Sequence, residues 1–293
     1  MAVTTSSLAD DLAPAPRAFS LWTAIRRNPT IAFGGVLLFL LVLVAIVGPS
    51  LVGDPFKMAP VNRLRPPSER WWFGTDQFGR DVFTRTVYGA RVSLIVGLTV
   101  GAISGMLGLA LGLLCGYFKR IDGFVMRIMD GIMAIPSILL AIALITLTRP
   151  GLGIVIVAIV IPEVPRIVRV VRSVVLSVRA QPYVESAIAG GTRNVKLLAR
   201  HVLPNTLAPL IVQTTFVCAS AMLIESGLSF LGAGVPPEVP SWGNIIAQGR
   251  NHFHIAPWSI LIPGGFLAIT VLAVNLLGDG LRDRLDPRLA RRL

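Results

Sequence analysis

Residues with the chemistry of an active site are scarce in this chain of 293 residues. The three histidines, His201, His252 and His254, do not have the HExxH spacing of a helical zinc site. His252 and His254 together offer two ligands where a zinc site takes three or four, so we interpret them as surface side chains and expect no metal site. The sequence contains no GxxxxGK[ST] phosphate-binding loop, which excludes ATP binding through that motif. These residue types argue against an enzyme.

One ionisable residue, Glu225, lies deep in an apolar run, four residues before Ser229. Burying a carboxylate in the hydrocarbon region of a membrane costs several kcal/mol, so such residues usually face the interior of a helix bundle or a transport pathway. Two interpretations stay open. Glu225 and Ser229 line a translocation path, or Glu225 lies near the outer interface, close to the glycines at 232 and 234, and holds a loop.

A polar stretch at residues 181–205, QPYVESAIAGGTRNVKLLARHVLPN, interrupts the apolar pattern. Its first part favours a short helix that ends at Gly190 and Gly191, because glycine permits the left-handed conformation that turns the chain. A basic amphipathic helix follows and is expected to stop at Pro204. The apolar residues expected on one side of this second helix are Val195, Leu198 and Val202. We call the stretch the 181–205 hairpin; its pattern fits docking into a partner's groove or lying on anionic headgroups.

The elements that must position these residues are membrane helices, because 54% of the residues are hydrophobic and only 14% are charged. The apolar residues cluster in runs close to the ~20 residues that cross a bilayer as a helix. We therefore predict an all-α membrane protein with about six spans. Their expected bounds are Ile31 to Leu51, Ser93 to Phe118, Gly131 to Thr148, Leu152 to Val171, Leu207 to Leu231 and Trp258 to Leu277. Because the second half of the fourth span holds two prolines and three charged residues, we expect its lipid-facing part to end near Ile161 and the helix to kink there.

The net charge of +12 indicates topology rather than nucleic-acid binding, because the basic residues flank the apolar runs. With both termini in the cytoplasm, the cytoplasmic segments hold most of the 27 Lys and Arg residues. The expected organisation is a cytoplasmic tail (1–28), a first span that is an uncleaved anchor (29–52), an external connection (53–91), a five-helix core (92–281) and a cytoplasmic tail (282–293). The core includes a cytoplasmic loop at 173–206. The external connection carries seven basic residues and is the exception to the charge rule.

Glycines recur every three or four residues in the second predicted span, at Gly97, Gly101, Gly105, Gly108 and Gly112. On a helix this spacing forms a stripe without side chains. Such stripes let two helix backbones approach closely in lipid, where van der Waals contact drives association. We therefore expect this span to be central in the bundle, packed against a sibling helix or a second subunit.

The hairpin resembles the E-A-A, three residues, G, nine residues, I-x-L-P pattern of binding-protein-dependent ABC importer permeases. The residues that match this pattern are Glu185, Ala187, Gly191, Leu203 and Pro204. Ser186 replaces the middle alanine, and His201 stands where the general pattern has isoleucine. Residues 200–205 are close to the R-H-I-L-P-N sequence of the dipeptide and oligopeptide branch.

Further stretches resemble the same branch: Phe73 to Asp81, Tyr88 to Arg91, Leu228 to Gly232, Pro240 to Gly243, Asn275 to Arg282 and Leu285 to Leu289. The chain is thus similar to the C-type permease subunit of a dipeptide, oligopeptide or nickel-type importer. The resemblance implies a type I importer bundle in the inner membrane of a prokaryote. It also places the stretch from Asp76 to Arg91 on the outer side.

The resemblance also implies partners: a B-type permease subunit, two cytosolic ATPase subunits and an external substrate-binding protein. ATP and Mg²⁺ would be bound by the ATPases, with no cofactor in this chain, and the path would run between the two permeases. The residues expected to couple the chain to the ATPases are Glu185, Ser186, Ala187, Gly190, Gly191, Arg200, His201, Leu203 and Pro204. An ion-coupled secondary transporter stays open as the alternative, although only Glu225 is clearly an intramembrane charge.

Overall fold

The computed structural model describes residues 29–148 and 151–285, so the predicted tail 1–28 and residues 286–293 of the predicted tail 282–293 lie outside the described residues, whereas 282–285 belong to the last helix. The described part is built from helices and has one isolated bridge, between Thr75 and Asp81. The helices are α1 (Pro29–Leu51), α2 (Val82–Tyr117), α3 (Lys119–Met133), α4 (Ser137–Thr146), α5 (Leu152–Arg179), α6 (Pro182–Ala189), α7 (Asn194–Leu197), α8 (Leu203–Phe230), α9 (Trp242–Gly249) and α10 (Trp258–Leu285). A π-helical turn, Leu198–Val202, joins α7 to α8.

Among the described residues, four helical segments are long and apolar enough to cross a membrane. They are α1, α2, the continuous run Asn194–Phe230 and α10. A fifth is added if α3 and α4, which meet at an angle of 87°, form one broken span. The remaining predicted span falls on α5, which is 28 residues long but carries Glu163, Arg166 and Arg169 in its middle. The all-α membrane fold is confirmed.

The third predicted span, Gly131 to Thr148, is wrong as a single helix. α3 ends at Met133, and α4 begins only at Ser137. Pro136 causes the break, because its ring disfavours the α conformation in the residue before it and it cannot donate to a preceding helical carbonyl. It has extended backbone angles (φ −52°, ψ 131°) and precedes the first residue of α4.

The fourth predicted span, Leu152 to Val171, forms α5, which continues through Pro162 and Pro165 as far as Arg179; the lipid-facing boundary and the kink near Ile161 stay predictions. Both prolines are buried. Fully buried side chains before and after the two prolines, among them Ile159 and Val171, pack α5 into the main hydrophobic core. Tertiary packing of this kind compensates for the lost backbone hydrogen bonds.

The second span begins at Val82 rather than Ser93, inside the stretch predicted as an external connection. Asp81 caps this helix, and its carboxylate accepts hydrogen bonds from the backbone N–H groups of Phe83 (3.2 Å) and Thr84 (3.1 Å). Side chains of this type satisfy the free donors at a helix N-terminus. α2 is consequently 36 residues long and extends beyond the ~30 Å hydrocarbon layer.

The glycine stripe of α2 lies against two other helices of the same chain. Its first part faces α8, since a Cβ at Gly97 would come within 2.8 Å of Met222 Cγ. Its second part faces α5, because a Cβ at Gly112 would lie 2.6 Å from Val171 Cβ. α2 therefore lies between α5 and α8, and these three helices contribute many of the side chains of the main core.

Candidate coupling site and polar groups of the bundle

The turn of the 181–205 hairpin has a specific backbone geometry. Gly191 has a φ of +75°, in the left-handed region that favours glycine. Its N–H donates to Ile188 O (3.0 Å), and the N–H of Thr192 donates to Ala187 O (3.1 Å). These two bonds form a Schellman motif, which satisfies the last carbonyls of α6. Gly190 has an ordinary φ of −73°, so the left-handed requirement rests on Gly191 alone.

The hairpin is anchored to the bundle by apolar and polar contacts. Val184 in α6 and Leu197 in α7 are fully buried in the main core. The hydroxyl of Tyr117, the last residue of α2, donates to Asn194 Oδ1 (2.7 Å), and Arg179 Nη1 donates to the carbonyl of Tyr117 (2.7 Å). The first bond joins the hairpin to the end of α2, and the second joins the end of α5 to the end of α2.

The structure places most of the predicted coupling residues on one exposed surface. The exposed members are Glu185, Ser186, Gly190, Gly191, Arg200 and Pro204, whereas Ala187, His201 and Leu203 are half-buried. The Tyr183 ring contacts the His201 ring with centroids 6.0 Å apart, and this contact joins α6 to the π-helical turn. α6 and the turn before α8 therefore form one surface.

Two expectations about the second half of the hairpin are wrong. Val195 is 79% exposed, and Leu197 is buried in its place, whereas Val202 is buried and Leu198 packs half-buried against the core, as expected. Pro204 does not stop a separate helix, because the chain stays helical from Asn194 to Phe230. The wide π-helical turn accommodates the proline: the N–H of Leu203 donates to Leu198 O, five residues back, and Pro204 enters the first turn of α8, where its missing N–H costs least.

Glu225 and Ser229 are brought together inside the bundle. Glu225 is fully buried, and its Oε1 accepts hydrogen bonds from the hydroxyls of Ser229 (2.9 Å) and Ser241 (2.8 Å). Ser241 is the N-cap of α9 and also accepts from the N–H of Asn244 (3.1 Å). The Glu225 side chain therefore does not reach the surface of the chain, and it ties α8 to the start of α9.

A second buried polar cluster, which the sequence patterns did not reveal, holds the other side of α9. Asp76 accepts from Arg80 Nε (2.7 Å) and Arg85 Nη1 (2.8 Å), and all three side chains are at most 7% exposed. Arg80 and Arg85 also donate to Gln248 Oε1 in α9, at 2.6 and 2.8 Å. Gln248 lies far along the chain from the other three residues, so no local pattern could pair them.

The histidines of the last loop do not belong to a metal cluster within the described residues, where no group of three or more His, Cys, Asp or Glu side chains comes together. His252 is half-buried beside the Asp76 cluster and lines a small cavity with Arg85 and Ser259. His254 is exposed and contacts the Phe253 ring at 5.9 Å between centroids.

Residues 108–291 match the family described as the binding-protein-dependent transport system inner membrane component. The match spans more than half of the chain, and the chain belongs to this family. It is a membrane-embedded permease subunit of an ABC-type transport system, located in the inner membrane. It is a transport component and not itself an enzyme.

Full-length relatives are similar over nearly all of the chain. A probable peptide ABC transporter permease protein, y4tQ of Sinorhizobium fredii, is 54% identical, with 100% of both chains covered. The dipeptide transport system permease protein DppC of Alkalihalophilus pseudofirmus is 43% identical, with 90% of this chain and 88% of that protein covered. The inward-facing MetNI methionine ABC transporter aligns with a TM-score of 0.58 at 20% identity, covering 69% of this chain and 96% of that chain, which supports the fold.

Proposed function

We propose that this chain is the C-type permease subunit of a peptide importer and forms half of the translocation path. A B-type permease would form the other half, and two ATPase subunits would bind ATP and Mg²⁺ in the cytosol. An external binding protein would deliver the peptide. The peptide substrate is supported by the names of full-length relatives at 54% and 43% identity.

The observation that carries the coupling role is the exposed surface of the 181–205 hairpin, held rigidly on a buried base. α6 presents Glu185 and Ser186 outward, while Val184 one residue earlier is fully buried. The hydroxyl of Tyr117 donates to Asn194 and joins the hairpin to α2, and Arg179 joins the end of α5 to the same residue of α2. A rigid exposed projection of this kind suits docking into a groove of an ATPase subunit. Closure of the ATPases would then shift the ends of the two helices together, which fits an alternating-access mechanism.

Reconstitution tests the whole proposal. The chain is co-expressed with its B-type permease and ATPase subunits, purified in mild detergent and placed in proteoliposomes with the binding protein. We expect the ATPases to co-elute and uptake of di- and tripeptides with free termini to require ATP. Uptake by the permease alone that is driven by an ion gradient would contradict the proposal.

Gly191→Pro tests the coupling surface itself. Proline fixes φ near −65°, whereas Gly191 has a φ of +75°, so the turn cannot form. We expect loss of ATPase association with normal membrane insertion. Gly190→Ala is the matched control for the backbone, because Gly190 has a φ of −73° and an added Cβ would meet only Ser186 O at 3.4 Å and Ala187 O at 3.7 Å, both ordinary contacts. Equal peptide transport by both variants would remove the coupling role.

A further inference from the structure

The bundle contains a polar cleft of about 290 Å³ formed by α5, α8 and α10. We call it the Glu163 cleft, after the residue that distinguishes it. Its polar lining residues are Glu163, Arg166, Gln213, Ser220 and Asn275. All five lie in the middle third of their helices.

The polar groups of this cleft have unused hydrogen-bonding capacity. Glu163 is fully buried, and its Oε1 has no partner within the described residues. Its Oε2 has one long contact, at 3.4 Å, with Arg166, whose side chain is 47% exposed. The amides of Gln213 and Asn275 and the hydroxyl of Ser220 make no side-chain hydrogen bond within the part of the chain that the structure describes.

A surface of this kind cannot face lipid. The hydrocarbon layer offers no partner for a carboxylate, a guanidinium or an amide, and each such group costs free energy when it is left unpaired there. Glu163 belongs to a helix whose middle also carries the charged residues Arg166 and Arg169. The cleft must therefore meet water, solute or protein when the transporter is assembled.

We infer that the Glu163 cleft is a contact site for the peptide inside the translocation path. This inference rests on the proposed function. A short peptide with free termini carries an α-ammonium and an α-carboxylate, and the cleft offers one partner for each charge. Glu163 would accept from the ammonium and Arg166 would donate to the carboxylate, two charge-assisted hydrogen bonds that are stronger than neutral ones.

The weak internal pairing makes this exchange of partners feasible. The single 3.4 Å contact between Glu163 and Arg166 is longer than a good charge-assisted bond, so little is lost when a ligand replaces it. The free amides of Gln213 and Asn275 are suited to the peptide bond, which has one donor and one acceptor. The site would thus bind the backbone and the charged termini of the peptide, which all short peptides with free termini have in common.

The test uses the assembled transporter in proteoliposomes with loaded binding protein and a mixture of di- and tripeptides with free termini. Glu163→Gln and Arg166→Gln both remove a charge. Glu163→Gln keeps the side-chain volume nearly constant, and Arg166→Gln makes the side chain smaller. Each is expected to lower uptake per ATP hydrolysed about tenfold, which corresponds to about 1.4 kcal/mol. ATPase stimulation by the binding protein should stay within about twofold of wild type, because the coupling hairpin is untouched.

Arg169→Gln is the matched control, because Arg169 lies one turn further along α5 and pairs with the exposed Asp130 at 2.6 Å outside the cleft. Its uptake per ATP should match wild type within about twofold. Wild-type uptake by the Glu163→Gln and Arg166→Gln variants would overturn the inference. Failure of both to co-purify with the B-type permease would also overturn it, since the pair would then be an interface contact. Absence of ATP-dependent uptake in the wild type would instead contradict the proposed function.

Discussion

The close contact at Gly112 shows what the glycine stripe contributes. A Cβ at this position would lie 2.6 Å from Val171 Cβ and 3.1 Å from the carbonyl of Val168, which belongs to the backbone and cannot rotate away. Gly112→Ala therefore forces α2 and α5 apart, and we expect a loss of about 1–3 kcal/mol of stability, as for overpacked cores. The melting temperature of the purified protein in detergent measures the loss.

Gly123→Ala provides the control for this prediction. Gly123 lies in α3, and a Cβ there would meet nothing within 4 Å. Alanine is the better helix former by about 1 kcal/mol, so this variant should melt at the same temperature as wild type or slightly above it. A melting temperature of Gly112→Ala equal to that of Gly123→Ala would show that the helices tolerate the extra atom.

Among the elements, α9 depends on charges that are distant in sequence. Asp76 balances Arg80 and Arg85, which also hold Gln248 of α9. Asp76→Ala leaves two buried guanidinium groups without their carboxylate, and breaking a buried pair in this way costs about 3–5 kcal/mol. We expect a large drop in melting temperature. We also expect faster tryptic cleavage after the exposed Arg250, because α9 is released from the bundle.

The control for this prediction is an ion pair that is exposed rather than buried. Asp130 and Arg169 are 59% and 46% exposed and lie 2.6 Å apart. Asp130→Ala should cost no more than about 1 kcal/mol, because water solvates both groups. Equal melting temperatures for Asp76→Ala and Asp130→Ala, with cleavage after Arg250 as slow as in the wild type, would show that the buried cluster does not hold α9.

The elements that the sequence predicts well are those defined by local patterns. Apolar runs predict the long helices, and the glycine pair predicts the turn that Gly191 makes with a φ of +75°. The break at Pro136 and the extension of α5 beyond Val171 to Arg179 were missed, because a proline breaks a helix or is tolerated according to the tertiary packing around it. The Asp76 cluster and the Glu163 cleft join residues from distant segments, which a single sequence does not bring together.

At the scale of the whole molecule, the structure shows how some of the seven basic residues in the connection at 53–91, which is predicted to be external, are paired. Arg80 and Arg85, two of its seven basic residues, are buried and paired with Asp76. Charges neutralised in this way do not act as the free juxtamembrane charges that set orientation. The external location of this connection and the cytoplasmic location of the 181–205 hairpin stay predictions.

Cysteine labelling in spheroplasts tests this orientation directly. Both native cysteines, Cys115 and Cys218, are buried, so the wild-type chain should give little background with a membrane-impermeant maleimide. Glu69→Cys and Lys119→Cys place new thiols at exposed positions on opposite predicted sides. We expect Glu69→Cys to react in intact spheroplasts and Lys119→Cys to react only after permeabilisation. The reverse pattern would invert the topology and leave the hairpin on the side without ATP, so the coupling role depends on this result.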